Sequence, residues 1–582
     1  MALFNYYPYS NFHELNLDWI IKAVIEYTEK VDKLEINFNE LKDYVVNYFD
    51  SVDFAEIVAA KIDEMFLNGD FTTLFARYTY RTYLNKKALV EDTALVDGSI
   101  IRCLGYNSPG DNGHFDGLIS TTSQGYSILL DNGLYCNVVL SHTITPEMFG
   151  AVPDGDTDCT TQLQNAMEYT ENRTLEFYPG GTYVINDGSI EGTLLLKSNS
   201  ILELNEATIN SRGRWRLFIA ATNEDTYGGY NGVHDVIIRN GYLVGGCDCT
   251  LVHMQNVYFT NVKFHNARIE HMVEIAACKN VHFENCEFVG SVVKQSGVHE
   301  YFNIDPMAYP NISIYDPESP LYDGTPNTEL YVTNSLFALG EGVYAFGERA
   351  WGVHSSNLAT QGKHSYLYFT DNIVRGFTIY SLTVSDMEHV IIDGNVIEGT
   401  DFPDITVGTI EASDIKITNN YMQTNGSKPC IVFGQNKTPE FISGATDVII
   451  EGNVIVNTAA PYSTIYRFET TDKSKLSFIR LQKSNILNGN YTNSITSPIN
   501  LSKVNVIELL IGAPATSNLQ HIRIDSFYGR GFLVNEVYNV PVYHNGAVII
   551  QTYTITDDFT ITVTSPDNTP LNIRQVSLAK IY

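Results

Sequence analysis

The stretch SGVHEYFNIDPMAYP, from Ser296 to Pro310, brings a histidine, two carboxylates, two tyrosines and an asparagine together in 15 residues. Read as a strand with Val298, Phe302 and Ile304 turned to an interior, it sends His299, Tyr301, Asn303 and Asp305 to the outer face in one row. Glu300 has inward parity and reaches that face only if the strand starts after it or bulges. A row of this kind is a groove floor. Its chemistry would be general acid–base catalysis, in which one carboxylic acid protonates a leaving oxygen and a carboxylate activates water or attacks, at about 5–9.5 Å for a glycosidic bond. Asp305 and Glu300 are the candidate pair, with His299, Tyr301 and Asn303 as substrate-binding candidates. Each also has a plain structural reading, since a carboxylate at a strand end commonly holds backbone amides or faces solvent.

A second patch, GERAWGVHSS (Gly347 to Ser356), follows the same logic, with Trp351 and Val353 inward and Gly352 and His354 outward. His354 is the third catalytic candidate: it would orient a carboxylate, shuttle a proton near neutrality or bind the substrate. Asp154, Asp156 and Asp158 have the alternate spacing of metal ligands, but no glutamate follows as in an EF-hand loop. Capping of the helix expected from Thr160 suits Asp156 or Asp158 better. No cofactor is required by this chemistry, and a divalent cation is compatible with it.

These residues need a scaffold that holds many short strands in register. One pattern recurs, an apolar-alternating strand, an Asn or Gly, then a second short strand: DVIIRNGYL from Asp235, NVYFTNVKF from Asn256, NVHFENCEF from Asn280, ELYVTNSLF from Glu329, YLYFTDNIV from Tyr366, HVIIDGNVI from His389, DIKITNNYM from Asp414 and DVIIEGNVI from Asp447. Steps of 21, 24, 49, 37, 23, 25 and 33 residues suit one coil of a parallel β-helix each, with loops inserted or some coils unmarked. Asn240, Asn261, Asn285 and Asn334 should then stack on one another, and the second patch should lie about two coils from the first. The fold class is mainly β.

Either side of this body the pattern changes. Leu17, Ile20, Val24, Tyr27, Val31, Leu34, Phe38, Leu41, Val45, Tyr48 and Val52 form an unbroken heptad seam, which predicts a coiled coil; the mixed aromatic and β-branched seam favours more than two strands, and a trimer is expected. Residues 1–70 thus hold an aromatic docking peptide (Tyr6 to Trp19) and a coiled-coil helix, 71–146 a small β-rich domain, 147–460 the β-helix, and 461–582 alternating strands that predict an antiparallel β-sandwich. His544-Asn545-Gly546 is a hairpin signal.

Composition narrows the partners. With 36 basic against 67 acidic side chains the net charge is −31, so a nucleic-acid backbone is repelled. The eight cysteines lack paired CxxC spacing and read as buried thiols. Neither a secretory signal nor a membrane span is expected. The 37 tyrosines, 29 phenylalanines and three tryptophans suit stacking on sugar faces, although most serve a core.

The string FGAVPDGDTDCTTQLQNAMEY, Phe149 to Tyr169, resembles the opening motif of the pectate-lyase-like β-helix superfamily found in phage tailspikes. The strand from Glu300 to Asp305, then Gly352-Val353-His354-Ser355, then His364-Ser365-Tyr366-Leu367, resembles the site strands of a phage and bacterial β-helix family. The resemblance covers about residues 147 to 460. It implies a right-handed parallel β-helix in a homotrimer, a tail or neck appendage of a virion, docked to phage tail or neck proteins through its N-terminus. It also implies binding and depolymerisation of a bacterial surface polysaccharide or of teichoic acid, whose bond would be a phosphodiester. Hydrolysis is favoured over the β-elimination that uronates would allow. The alternative is a receptor-binding spike of the same fold that cuts nothing.

Overall fold

The computed structural model describes residues 80–186 throughout, most strands and several connections from 194 to 457, and chiefly strands from there to 579. The aromatic peptide and the heptad seam, within residues 1–79, lie outside the described residues.

One coil explains the rest. In the strand Gln255–Ala267, Val257 and Phe259 point inward, and so do Val262 and Phe264, a break in strict alternation. The break sits at Asn261, whose φ of 55° is left-handed, a region asparagine tolerates better than other side-chain-bearing residues. It bends the strand and resets which face is buried. After a short connection, His271–Ala276 forms a third strand, and Ala277 (φ 52°) starts the return. Stacked coils pair in parallel, as in Val257 with Val281 and Phe259 with Phe283. The third strands form a 10-stranded parallel sheet, here called the front sheet, and the bent pairs belong to a 26-stranded sheet.

All eight expected coil starts, Asp235, Asn256, Asn280, Glu329, Tyr366, His389, Asp414 and Asp447, have positive φ between 49° and 57°. Lys279–Glu284 pairs directly with Thr328–Thr333, so the 49-residue step is a single coil with an insertion, and no unmarked coil intervenes. For the same reason Glu348–Val353 pairs directly with His299–Asp305, placing the second patch one coil away and not two.

The corner asparagines stack as expected. The Nδ2 of Asn261 donates to Asn240 Oδ1 at 3.0 Å, that of Asn285 to Asn261, and that of Asn334 to Asn285 at 3.3 Å. One residue further on runs a second ladder that the sequence reading missed. The backbone N–H groups of Ser335, Asn372, Asn395 and Asn420 donate to the side-chain Oδ1 of Asn372, Asn395, Asn420 and Asn453 in turn, at 2.8–2.9 Å. All five residues are buried, so each amide replaces water for a strand end that has none. Asn395→Ala strips the partner from the buried Asn372 N–H and from Phe369 O. It should cost about 2–4 kcal/mol, read as a lowered urea midpoint; an unchanged midpoint would mean the ladder stabilises nothing.

The bore is filled by stacked rings, Phe259 on Phe283 at 4.7 Å and Phe264 on Phe288 at 4.8 Å. Ahead of it, the helix Thr160–Glu168 buries Leu163, Ala166 and Met167 as expected. Its N-cap position belongs to Cys159, and Asp158, one residue earlier, accepts from Thr160 N at 3.0 Å; Asp156 makes no such bond among the described residues. Cys103, Cys136, Cys159, Cys249, Cys278 and Cys286 are buried free thiols, and Cys247 and Cys430 lie outside the described residues. Residues 81–138 carry a five-stranded sheet. Parallel pairing runs on to Asn488, beyond 460, and the strands that follow pair antiparallel. His544 pairs with Ala547 at the end of an antiparallel pair, and Asn545 and Gly546 of the hairpin signal lie outside the described residues. Among the described residues no helix is long and apolar enough to cross a membrane.

Candidate active site

The front sheet positions the candidates. Its inward residues are Cys249 and Leu251, then Val273 and Ile275, then Phe302 and Ile304, all in the core. Register therefore sets Thr250 beside Glu274 and Glu274 beside Asn303 on the outer face, with Val252, Ala276 and Asp305 two residues along. Asn303 Nδ2 donates to Asp305 Oδ2 at 2.8 Å, and Thr250 Oγ1 to Glu274 Oε2 at 3.3 Å. Asn303 Oδ1 is buried and has no hydrogen-bond partner among the described residues.

The row is not an open floor. Glu274, Asn303 and Asp305 are 4%, 1% and 1% exposed. Tyr301, expected to line the groove, is buried edge-on against Phe377 at 5.0 Å and belongs to the core. Glu300 keeps the inward parity its position demands. It is fully buried, with Oε2 3.5 Å from His271 Nδ1, so the strand itself separates it from Asp305. The backbone of His299 starts this strand, but its side chain lies outside the described residues, as do His354 and the side chains of Glu348–Val353. Glu274 was missed because HMVEIA reads as an apolar strand with one stray acid; only its register with Asn303 gives it meaning.

The described residues of the insertion between 306 and 326 pack beside this face. Met307, Tyr315 and Leu321 pack on Val252, Ala276 and Ala277 in a second apolar cluster. Asp323 holds Gly229 N at 2.7 Å, Tyr230 donates to Pro326 O at 2.9 Å, and His253 lies 3.0 Å from Leu321 O. Where the insertion ends, Asn327 clamps the strand ends. Its Nδ2 donates to Asp305 O at 2.8 Å and to Ile275 O at 3.2 Å, and its Oδ1 accepts from Cys278 N. Its own N–H donates to His364 Nδ1 at 2.9 Å, which makes that imidazole neutral.

Two buried groups here titrate in opposite senses. Burial pushes the His364 imidazole down to about 4 and the Asp386 carboxyl up to about 6. The unfolded chain protonates His364 below about 6.5 and the folded chain does not, so that contribution is complete above this pH and is lost as pH falls toward 4. Asp386 does the reverse: between about 6 and 3.8 the folded chain binds the proton first, and acid stabilises it. Asp386→Asn removes the offset. The variant should lose stability more steeply than the parent between about pH 7 and about pH 5, followed by urea denaturation; equal slopes would contradict this.

Among the described residues no three His, Cys, Asp or Glu side chains converge to hold a metal ion. Asp154 uses its carboxylate on Asp156 N and Thr157 N, both at 2.8 Å. These bonds hold its carboxyl at about 2, below the usual carboxylate range.

The fold is that of a stacked parallel β-helix with a row of buried acids on its front sheet. No family profile matches the chain. A stretch of 39 residues is 56% identical to a capsule-specific depolymerase of Klebsiella phage K64-1, covering 7% of this chain and 5% of that protein's length. Among solved structures the chain is similar to PfbA, a surface adhesin of Streptococcus pneumoniae, with 15% identity and a TM-score of 0.46, over 73% of this chain and 99% of that one. It is also similar to tailspike gp49 of Acinetobacter baumannii bacteriophage Fri1, a capsular polysaccharide depolymerase, with 12% identity and a TM-score of 0.35, over 85% and 100%. For the tailspike of E. coli bacteriophage HK620 the values are 12% and 0.33, over 78% and 97%.

Proposed function

We propose that this chain is a phage tailspike-type appendage that binds and depolymerises a bacterial surface polysaccharide or teichoic acid on the outer face of its front sheet. The observation that carries the reading is the arrangement Glu274–Asn303–Asp305: two acids and an unsatisfied amide on one outer face of a rigid parallel sheet. A buried polar row of this kind costs stability unless a ligand repays it. The short match to a phage capsule depolymerase supports the same substrate class. In this reading the heptad seam joins three chains, the N-terminal peptide docks to the virion, and Asn303 is the substrate-binding residue beside the two acids. A divalent cation would serve substrates with uronate or phosphate groups.

The test is incubation of the purified protein with a panel of capsular polysaccharides and wall teichoic acids, with products sized by chromatography. New reducing ends identify hydrolysis, unsaturated uronate absorbance identifies elimination, and phosphomonoesters identify phosphodiester cleavage. One observation favours a second reading, a spike that binds without cutting: the three side chains are almost wholly buried. Polymers left intact across pH and divalent ions, yet retained by the protein, would establish it in place of the enzyme.

A further inference from the structure

We infer that Glu274, and not Glu300, is the second carboxyl group of the cleaving centre, acting with Asp305 across Asn303. The assignment rests on the glycan-cleavage reading above.

Topology removes Glu300. Its side chain lies on the inward side of the strand beside His271, whereas Asp305 lies on the outward side, so no single sugar reaches both. Glu274 is on the correct side. It stands one coil from Asn303 in direct register, with Asp305 two residues further along the same face. A strand spacing of about 4.8 Å and a two-residue rise of about 6.6 Å put the two backbone positions about 8 Å apart. From positions so spaced on one face, the carboxyl groups can reach the ~6.5–9.5 Å at which one protonates the leaving oxygen and the other activates a water on the opposite side of the ring.

A second observation points to a ligand there. Asn303 commits its Nδ2 to Asp305 Oδ2 at 2.8 Å and leaves its Oδ1 buried without a donor among the described residues. An orphaned amide oxygen costs about 1–3 kcal/mol. A sugar hydroxyl would donate to it, and the acids flanking Asn303 would lie to either side of that sugar.

Asn303 Nδ2 donates to Asp305 Oδ2 and holds that carboxyl group in place, which assigns Asp305 the part of the base. In the step, Glu274 transfers its proton to the glycosidic oxygen as the anomeric C–O bond breaks. Water attacks the anomeric carbon and yields its proton to Asp305. One water is consumed per bond cut, one chain end becomes a reducing sugar with inverted configuration, and solvent exchange restores both carboxyl groups.

The experiment uses the full chain, the polysaccharide panel above and, for any polymer the parent cuts, its repeat-unit oligosaccharide linked to nitrophenol. Glu274→Gln should cut polymer at least 100-fold more slowly with unchanged oligosaccharide affinity. It should keep most of its turnover on the nitrophenyl glycoside, whose leaving group needs no proton. Glu274→Asp should recover part of the polymer rate, which guards against a loss due only to misfolding. Proton NMR of the first product should give the inverted anomer. Parental polymer cleavage by Glu274→Gln, or the same leaving-group signature appearing in Glu300→Gln instead, overturns the assignment. A parent chain that cuts no polymer sinks the glycan-cleavage reading itself.

Discussion

An Asp305→Asn chain is expected to lose polymer cleavage by roughly 10²–10⁴-fold while binding the polymer as the parent does. The substitution keeps the side-chain shape and one acceptor oxygen, so the amide of Asn303 retains its 2.8 Å bond. The clamp from Asn327 runs to the backbone oxygen of Asp305 and is indifferent to the side chain. What disappears is the ability to take a proton from water. Activity is followed by new reducing ends and affinity by calorimetry on a repeat-unit oligosaccharide. Turnover within a few-fold of the parent would remove Asp305 from the chemistry; loss of both binding and fold would assign it to the scaffold.

Phe288→Ala should cost about 3–5 kcal/mol. Phe288 is fully buried between two rings in the same strand column, Phe264 at 4.8 Å and Phe337 at 4.5 Å, both nearly parallel to it. It also meets Phe302 at 6.2 Å. The neighbouring rings are themselves held by paired strands, so they relax little into the space, and the loss combines transfer energy with a cavity. Phe302 occupies the inward side of the strand that carries Asn303 and Asp305, so the void opens directly behind the candidate site. Chemical denaturation of Phe288→Ala and Phe288→Leu should give a graded loss. A change under about 1 kcal/mol for the alanine variant would mean this stack is not the packing core of the coil.

The coil architecture was legible because it is written locally. Each start residue and each corner residue lies next to the apolar alternation it interrupts, and a left-handed backbone conformation selects Asn, Asp or Gly at a corner without regard to distant contacts. Gly394 and Gly452, both at φ 68°, stand at corners where other coils have Asn or Asp. The hairpin at His544 and the helix from Thr160 are local in the same sense. The inner ladder through Asn372, Asn395, Asn420 and Asn453 was legible only as the second residue of each corner pair, and its partners lie 23 to 37 residues away.

The site was less legible because it is written across coils. Strand parity puts Asn303 and Asp305 on one face and Glu300 on the other, but parity says nothing about what covers a face. Hence Tyr301 was expected in a groove and is packed on Phe377. Nor does parity say which residue of the preceding coil stands alongside, which is how Glu274 escaped notice. Insert length misled as well: the 49-residue step is one coil carrying an insertion, whose described residues pack beside the front sheet.

The most direct measurement is a crystal structure of the Asp305→Asn chain soaked with a repeat-unit oligosaccharide of a polymer that the parent cuts. A sugar ring should lie on the outer face of the front sheet, with a hydroxyl donating to Asn303 Oδ1 and the scissile oxygen on the Glu274 side. An oligosaccharide bound only elsewhere, for instance on the antiparallel strands after 506, with Asn303 Oδ1 still lacking a donor, would contradict the account.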